Sequence, residues 1–220
     1  MKVKICGIRN GEEAEIAANY ADGLGFVVEY PEDVPWNLYR NTASKLIKKT
    51  PSSIYTVVIT TGIVEKIIDI LKSTRPNAVQ LHGEETIDEV KNLIDYCEEK
   101  GIDTIKALPI DVETGKSYGK DPIEVAELFL EIGVDSILFD SKTTGNAGGT
   151  GKTIDWAVLK NIRKEIDIPI ILAGGLNSTN LKKAYNVVKP DIVDVLSGVE
   201  TNGRKDESKM EQFYKIAKRC

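Results

Sequence analysis

The residues of this 220-residue sequence that could do chemistry unaided are one thiol, one carboxylate and two glycine turns. Cys6 stands near the end of a β-branched run, KVKICGI, with Lys4 two residues before it and so on the same face of a strand. A free thiol has a pKa of about 8.5, and a nearby ammonium favours the thiolate, which would make Cys6 a usable base. The plain alternative is a small buried cysteine that fills a strand. Asp140 ends the apolar run SILFD. Burial beside residues such as Leu138 would raise its pKa and keep a proton available for a general acid; alternatively it only starts the following loop.

The glycine turns suggest a phosphate seat. PIILAGGL ends in Gly174 and Gly175, followed by Asn177, Ser178 and Thr179. A helix beginning at Asn177 or Ser178 would aim free N–H groups and its positive end at an anion, while glycine lets the backbone approach closely. Some 20 residues on, VDVLSGVE repeats the arrangement at Ser197, Gly198 and Val199, so a second set of amides could close on the same anion. In a (β/α)8 barrel the loops after strands seven and eight commonly build such a site. Each glycine pair could equally serve only to turn a strand into a helix.

Other polar residues fall on strand faces that could reach the same centre. Gln80 and His82 share one face of VQLHG, and Asp194 shares another with Leu196; polar filling of a barrel top is the alternative. His82 is the only histidine, so neither a histidine metal cluster nor a Ser-His-Asp triad is expected. GNAGGTGKT at 145–153 nearly spells a P-loop, but Asn146 stands where a glycine is needed. A glycine loop that folds over the mouth and excludes water is the better reading.

These residues must be positioned by a repeating scaffold. Eight β-rich runs, at 3–8, 22–29, 53–61, 78–83, 104–110, 135–141, 169–176 and 191–199, alternate with amphipathic helical patterns. That alternation implies parallel pairing through right-handed crossovers. Eight units at this length predict a single (β/α)8 TIM barrel, an α/β fold spanning 1–220 as one domain. The longest loops, 30–41 and 142–152, both follow strands and so fall on the catalytic face.

Composition narrows the partners. A net charge of −5 without a basic stripe argues against nucleic acid. The absence of a long apolar run argues against a membrane span, and no secretory signal is visible. Three scattered cysteines suit a reducing cytoplasm. A phosphorylated small molecule is the expected ligand; a monomer and a homodimer are both open.

Six motifs, in order and spacing, carry a family resemblance over nearly the whole chain: KICGIR at 4–9, LGFVV at 24–28, VQLHGEE at 79–85, LFDS with GGTG and DW at 138–156, LAGGLN at 172–177, and VDVLSGVETNGRKD at 193–206. Together they resemble the phosphoribosylanthranilate isomerases of tryptophan biosynthesis. The resemblance implies a barrel that performs an Amadori rearrangement without cofactor or metal, with Cys6 as general base, Asp140 as general acid, Asp194 near the substrate amine, and the turns at 174–177 and 197–199 holding phosphate. One departure stands out: the family usually has Ser-Pro-Arg after strand two, its arginine meeting the anthranilate carboxylate, and this chain has Val34-Pro35-Trp36. Trp36 cannot make that ion pair but could stack on the ring, and Arg40 could take over if the loop bends inward. Lys4, Gln80 and His82 complete the candidate substrate contacts. The rival readings are the sister isomerase of histidine synthesis, against which Cys6 in place of an aspartate argues, and a non-catalytic phosphometabolite regulator.

Overall fold

The computed structural model describes residues 1–142 and 156–220, the side chain of Lys142 excepted. The glycine-rich stretch at 145–153, and with it nearly all of the loop expected at 142–152, lies outside the described residues.

Eight parallel strands close into a barrel: β1 (Lys2–Ile5), β2 (Gly23–Val28), β4 (Tyr55–Thr60), β5 (Ala78–Leu81), β6 (Asp103–Asp111), β7 (Ser136–Lys142), β8 (Ile170–Leu172) and β9 (Ile192–Val195), with β1 pairing both β9 and β2. A short β3 (Asn37–Leu38) pairs in parallel beside the end of β2, and β10 (Glu200–Thr201) forms a hairpin with β11 (Arg204–Lys205). The helices α1 (Gly11–Ala17), α2 (Arg40–Lys49), α3 (Val64–Thr74), α4 (Ile87–Lys100), α5 (Pro122–Glu131), α6 (Trp156–Glu165), α7 (Leu181–Val188) and α8 (Glu207–Ala217) cover the outside. The expected (β/α)8 barrel is therefore the fold. Among the described residues no helix is long and apolar enough to cross a membrane.

Strand alternation sorts the side chains into two cores. Val3, Ile5, Phe26, Val28, Val58 and Phe139 face outward against helices. Cys6, Val27, Val57, Ile59, Leu138 and Ile171 point inward. Because inner and outer faces are both buried, the strands read as nearly unbroken apolar runs, as parallel strands do. Helix starts carry local signals: Thr86 and Glu89 form a reciprocal capping box on α4, and the Asn10 side chain accepts from Glu13 N–H at the start of α1.

Several boundaries differ from the sequence expectation, and those around the glycine turns bear on the site. The run 169–176 pairs only over Ile170–Leu172, because Gly174 and Gly175 take left-handed φ values of 82° and 63° that end the ladder. The run 191–199 stops as a strand at Val195, and Ser197–Val199 form a 3-10 turn. No helix starts at Asn177 or Ser178. The Asn177 side chain accepts from Thr179 N–H (2.9 Å) while its own N–H goes to Asn180 Oδ1 (2.9 Å), a side-chain-closed turn that delays α7 to Leu181. The expected loop at 30–41 contains β3 and the start of α2, and the Asn37 amide grips both backbone groups of Tyr30, at 3.0 and 2.8 Å.

Candidate active site

A cavity of about 710 Å³ opens at the C-terminal end of the strands, lined by residues of nearly every strand end. Cys6, Gln80, His82, Asp140, Gly174, Gly175, Asp194 and Ser197 all line it. Residues scattered over most of the sequence meet there because each ends a strand, or follows one, on the inward face.

Cys6 is anchored by its N–H, which donates to Val195 O at 2.9 Å. A Cβ at position 25 of β2 would lie 3.0 Å from the Cys6 Sγ, so Gly25 makes the room the thiol occupies. Burial pushes the thiol up to about 11; Lys4 opposes this and Asp194 reinforces it. The expected thiolate is thus corrected: in the unliganded chain Cys6 is a thiol. The reason is burial, which outweighs the pull of Lys4; the ammonium itself is engaged elsewhere. Its Nζ donates to Asp194 Oδ2 at 2.7 Å and to Gln80 Oε1 at 2.8 Å, with Lys4 and Asp194 as register partners on β1 and β9. Burial works against the ammonium, and Asp194, aided by Cys6 and Asp140, outweighs it, so Lys4 stays charged. Asp194 Oδ1 is buried and meets no hydrogen-bond donor among the described residues.

Asp140 shares the inward face of β7 with Leu138, two residues before it. Burial raises its carboxyl to about 7, Asp194 adds to the rise, and the Ser141 N–H and Lys4 only partly offset it. At neutral pH a substantial fraction therefore carries a proton. His82 lies beside it, Nε2 at 3.8 Å from Asp140 Oδ2, and burial together with Lys4 and Lys106 holds the imidazole down to about 4. Gln80 Nε2 lies 3.0 Å from His82 Nδ1.

The two glycine turns interlock. A Cβ at Gly198 would fall 1.9 Å from Leu176 O, and one at Gly174 would fall 2.6 Å from Ser141 N. Only glycine permits these approaches, which bring the backbone of both turns to one end of the cavity. The amides of Gly174 and Gly175 donate to no described residue. Those of Ser197 and Gly198 open the 3-10 turn and have no acceptor within it. Asn177 differs: its amide is spent on Asn180. Val199 buries its side chain in the outer core. Lys205 buttresses the turn from behind, donating to Leu196 O at 3.2 Å and to Glu200 at 2.9 Å.

Arg40 is not brought to this centre. It opens α2, and its guanidinium forks onto Glu29, Nε and Nη2 each at 2.7 Å, outside the cavity lining. Trp36 does line the cavity, packed toward Gly7. Tyr30 and Tyr118 also line it, and sequence reading did not single them out: their hydroxyls reach His82 O (2.8 Å) and Gly83 O (2.9 Å), contacts that no local spacing announces. Lys106 was missed likewise. Fully buried outside the barrel wall, it holds Gly83 O at 2.7 Å and Glu85 at 2.5 Å, and Glu85 in turn accepts from Thr61. Gly25 did leave a signal, since glycine inside a strand marks close approach.

A family model described as N-(5'phosphoribosyl)anthranilate (PRA) isomerase matches residues 3–216. The N-(5'-phosphoribosyl)anthranilate isomerase of Methanosarcina acetivorans is 38% identical over 217 residues, which cover 96% of this chain and 91% of the relative. The crystal structure of the isomerase from Thermotoga maritima superposes with a TM-score of 0.83 at 34% identity, over 100% of both chains. A structure of such an isomerase in complex with reduced 1-(o-carboxyphenylamino)-1-deoxyribulose 5-phosphate has a TM-score of 0.80 at 32% identity, again over 100% of both chains. Sequence similarity along nearly its whole length and a shared barrel thus agree, and this chain belongs to the N-(5'-phosphoribosyl)anthranilate isomerase family.

Proposed function

We propose that this chain isomerises N-(5-phosphoribosyl)anthranilate to 1-(2-carboxyphenylamino)-1-deoxyribulose 5-phosphate in tryptophan biosynthesis, with Asp140 as general acid and Cys6 as general base. The observation that carries the assignment of roles is that a carboxyl raised to about 7 and a buried thiol line one cavity whose end is formed by two interlocked glycine turns.

The substrate phosphate sits on the amides of Gly174, Gly175, Ser197 and Gly198, which fixes the sugar over the barrel axis. Asp140 gives its proton to the furanose ring oxygen as the C1′–O bond breaks, and the amine nitrogen's electron pair forms the imine. Asp194 Oδ1, buried and without a donor, accepts the amine N–H and stabilises the cation as it forms. That cation favours the thiolate at Cys6, which Lys4, occupied by Asp194, does not supply alone. The Cys6 thiol gives its proton to solvent in the open cavity, and the thiolate then removes the C2′ proton; the C–H electrons form the C1′=C2′ bond of an enolamine as the C1′=N electron pair returns to nitrogen, and tautomerisation to the ketone completes the product. The aromatic ring rests against Trp36 and Tyr30, both in the cavity lining.

The test is the loss of anthranilate fluorescence after freshly made phosphoribosylanthranilate is mixed with wild type, Cys6→Ser and Asp140→Asn. Loss with wild type, and turnover lower by about 10²-fold or more in each variant, is the expected result. No loss with wild type overturns the activity; a variant with wild-type turnover removes that residue from the mechanism.

A further inference from the structure

We propose that Lys4 and Gln80 lock His82 as the Nε2–H tautomer, making Lys4–Gln80–His82 a positioning relay that keeps the proton of Asp140 available to the substrate.

The argument is one of donors and acceptors. An ammonium only donates, so the Gln80 atom 2.8 Å from Lys4 Nζ must be its carbonyl oxygen. Lys4 cannot turn away, because Asp194 holds it at 2.7 Å and the pair is almost wholly enclosed. The Gln80 amide nitrogen is thereby directed at His82 Nδ1, 3.0 Å away, and an amide nitrogen only donates. Nδ1 must then carry the lone pair, and the proton of the neutral ring sits on Nε2. The ring stays neutral because burial first, then Lys4 and Lys106, disfavour a second proton, while Asp194 and Glu85 oppose them without reversing the result and Asp140 faces Nε2. The backbone of His82 is pinned as well, Tyr30 Oη donating to its carbonyl at 2.8 Å.

Nε2 faces Asp140 Oδ2 at 3.8 Å, close enough to engage when the site tightens on substrate. The tautomer decides what that approach does. With the proton on Nε2, the imidazole can only donate toward Asp140. It leaves the acid proton on the carboxyl and stabilises the carboxylate that remains once the proton has passed to the substrate. With the proton on Nδ1, Nε2 would offer a lone pair to the carboxyl O–H and hold the proton away from the ring oxygen. The relay rests on Asp140 acting as the acid, but its geometric half is independent of that role.

Because His82 is the only histidine, histidine-specific ¹⁵N labelling reports this one ring. The expected spectrum of wild type at neutral pH is the neutral Nε2–H form. In Gln80→Glu, nearly the same shape, a carboxylate accepts from both Lys4 and the ring, so the proton moves to Nδ1, and kcat falls by about 10²-fold while KM changes far less. Gln80→Met, which removes the directing amide, should give a tautomer mixture and an intermediate kcat, and serves if the glutamate variant does not fold. A wild-type ring protonated on Nδ1 overturns the relay, as does a flipped tautomer in Gln80→Glu with unchanged kcat. An inactive wild type with the Nε2–H form leaves the lock standing and refutes its catalytic purpose together with the proposed function.

Discussion

Replacing Gly198 by alanine tests the phosphate seat with a single methyl group. The added Cβ would stand 1.9 Å from Leu176 O and 3.1 Å from Asn177 Cα, backbone atoms of the opposing turn. A carbon–oxygen contact needs about 3.3 Å, so the turns must part by roughly 1.4 Å. Hydrogen bonds of about 2.9 Å do not survive such a displacement. Two of the four amides offered to the phosphate move with Ser197 and Gly198, and each bond to a charged group contributes about 1.5–3 kcal/mol. If relaxation saves half of that sum, about 1.5–3 kcal/mol of substrate binding is lost, which is roughly 10- to 100-fold in KM at 1.4 kcal/mol per tenfold. Turnover should suffer less, because phosphate contacts are made alike in ground and transition states. Gly203→Ala is the control: its φ of 69° makes alanine strained, but its Cβ would meet nothing within 4 Å. It should cost about 1 kcal/mol of stability and leave KM alone. Steady-state fluorescence kinetics on both variants, with folding checked by circular dichroism, decides. A folded Gly198→Ala with KM within about threefold of wild type would refute phosphate binding by these turns.

The remaining expectations concern ionisation and packing. The reacting form holds one proton, on Asp140, with Cys6 as thiolate; it is a minor tautomer of the Asp140-carboxylate, Cys6-thiol form that predominates between about 7 and about 11, and because the two tautomers share one macroscopic step, kcat/KM should climb as pH rises toward about 7 and then level; in Asp140→Asn the break near 7 should vanish, and a wild-type kcat/KM that falls between pH 5 and 7 contradicts the assignment. Lys106→Met strands a buried Glu85 and should cost about 3–5 kcal/mol in urea unfolding, recovered largely by adding Glu85→Leu; a single variant as stable as wild type shows that the pair is not needed. Arg40→Ala should leave KM within about twofold and stability within about 1 kcal/mol, since its fork closes on Glu29 at a partly exposed site; a large rise in KM would show that the loop brings Arg40 inward.

The sequence by itself determined the barrel and the list of reactive groups. Eight apolar runs of strand length, each followed by a helical period, admit few other architectures, and period 2 alone puts Lys4 with Cys6 and Leu138 with Asp140 on common faces. Glycine at 174, 175 and 198 was legible because a backbone needing positive φ or close approach leaves no other choice. What the chain order did not contain was the charge state of those groups. Lys4 looked free to activate Cys6, but β9 closes the barrel beside β1 and gives the ammonium to Asp194, 190 residues away, so burial decides the thiol's pKa instead. The start of α7 and the place of Arg40 were settled by side chains, Asn180 capturing the Asn177 amide and Glu29 capturing the guanidinium. Local pattern specifies which face a residue takes; only closure of the barrel specifies which partner it meets there, because hydrogen bonding and desolvation depend on neighbours that sequence distance does not encode.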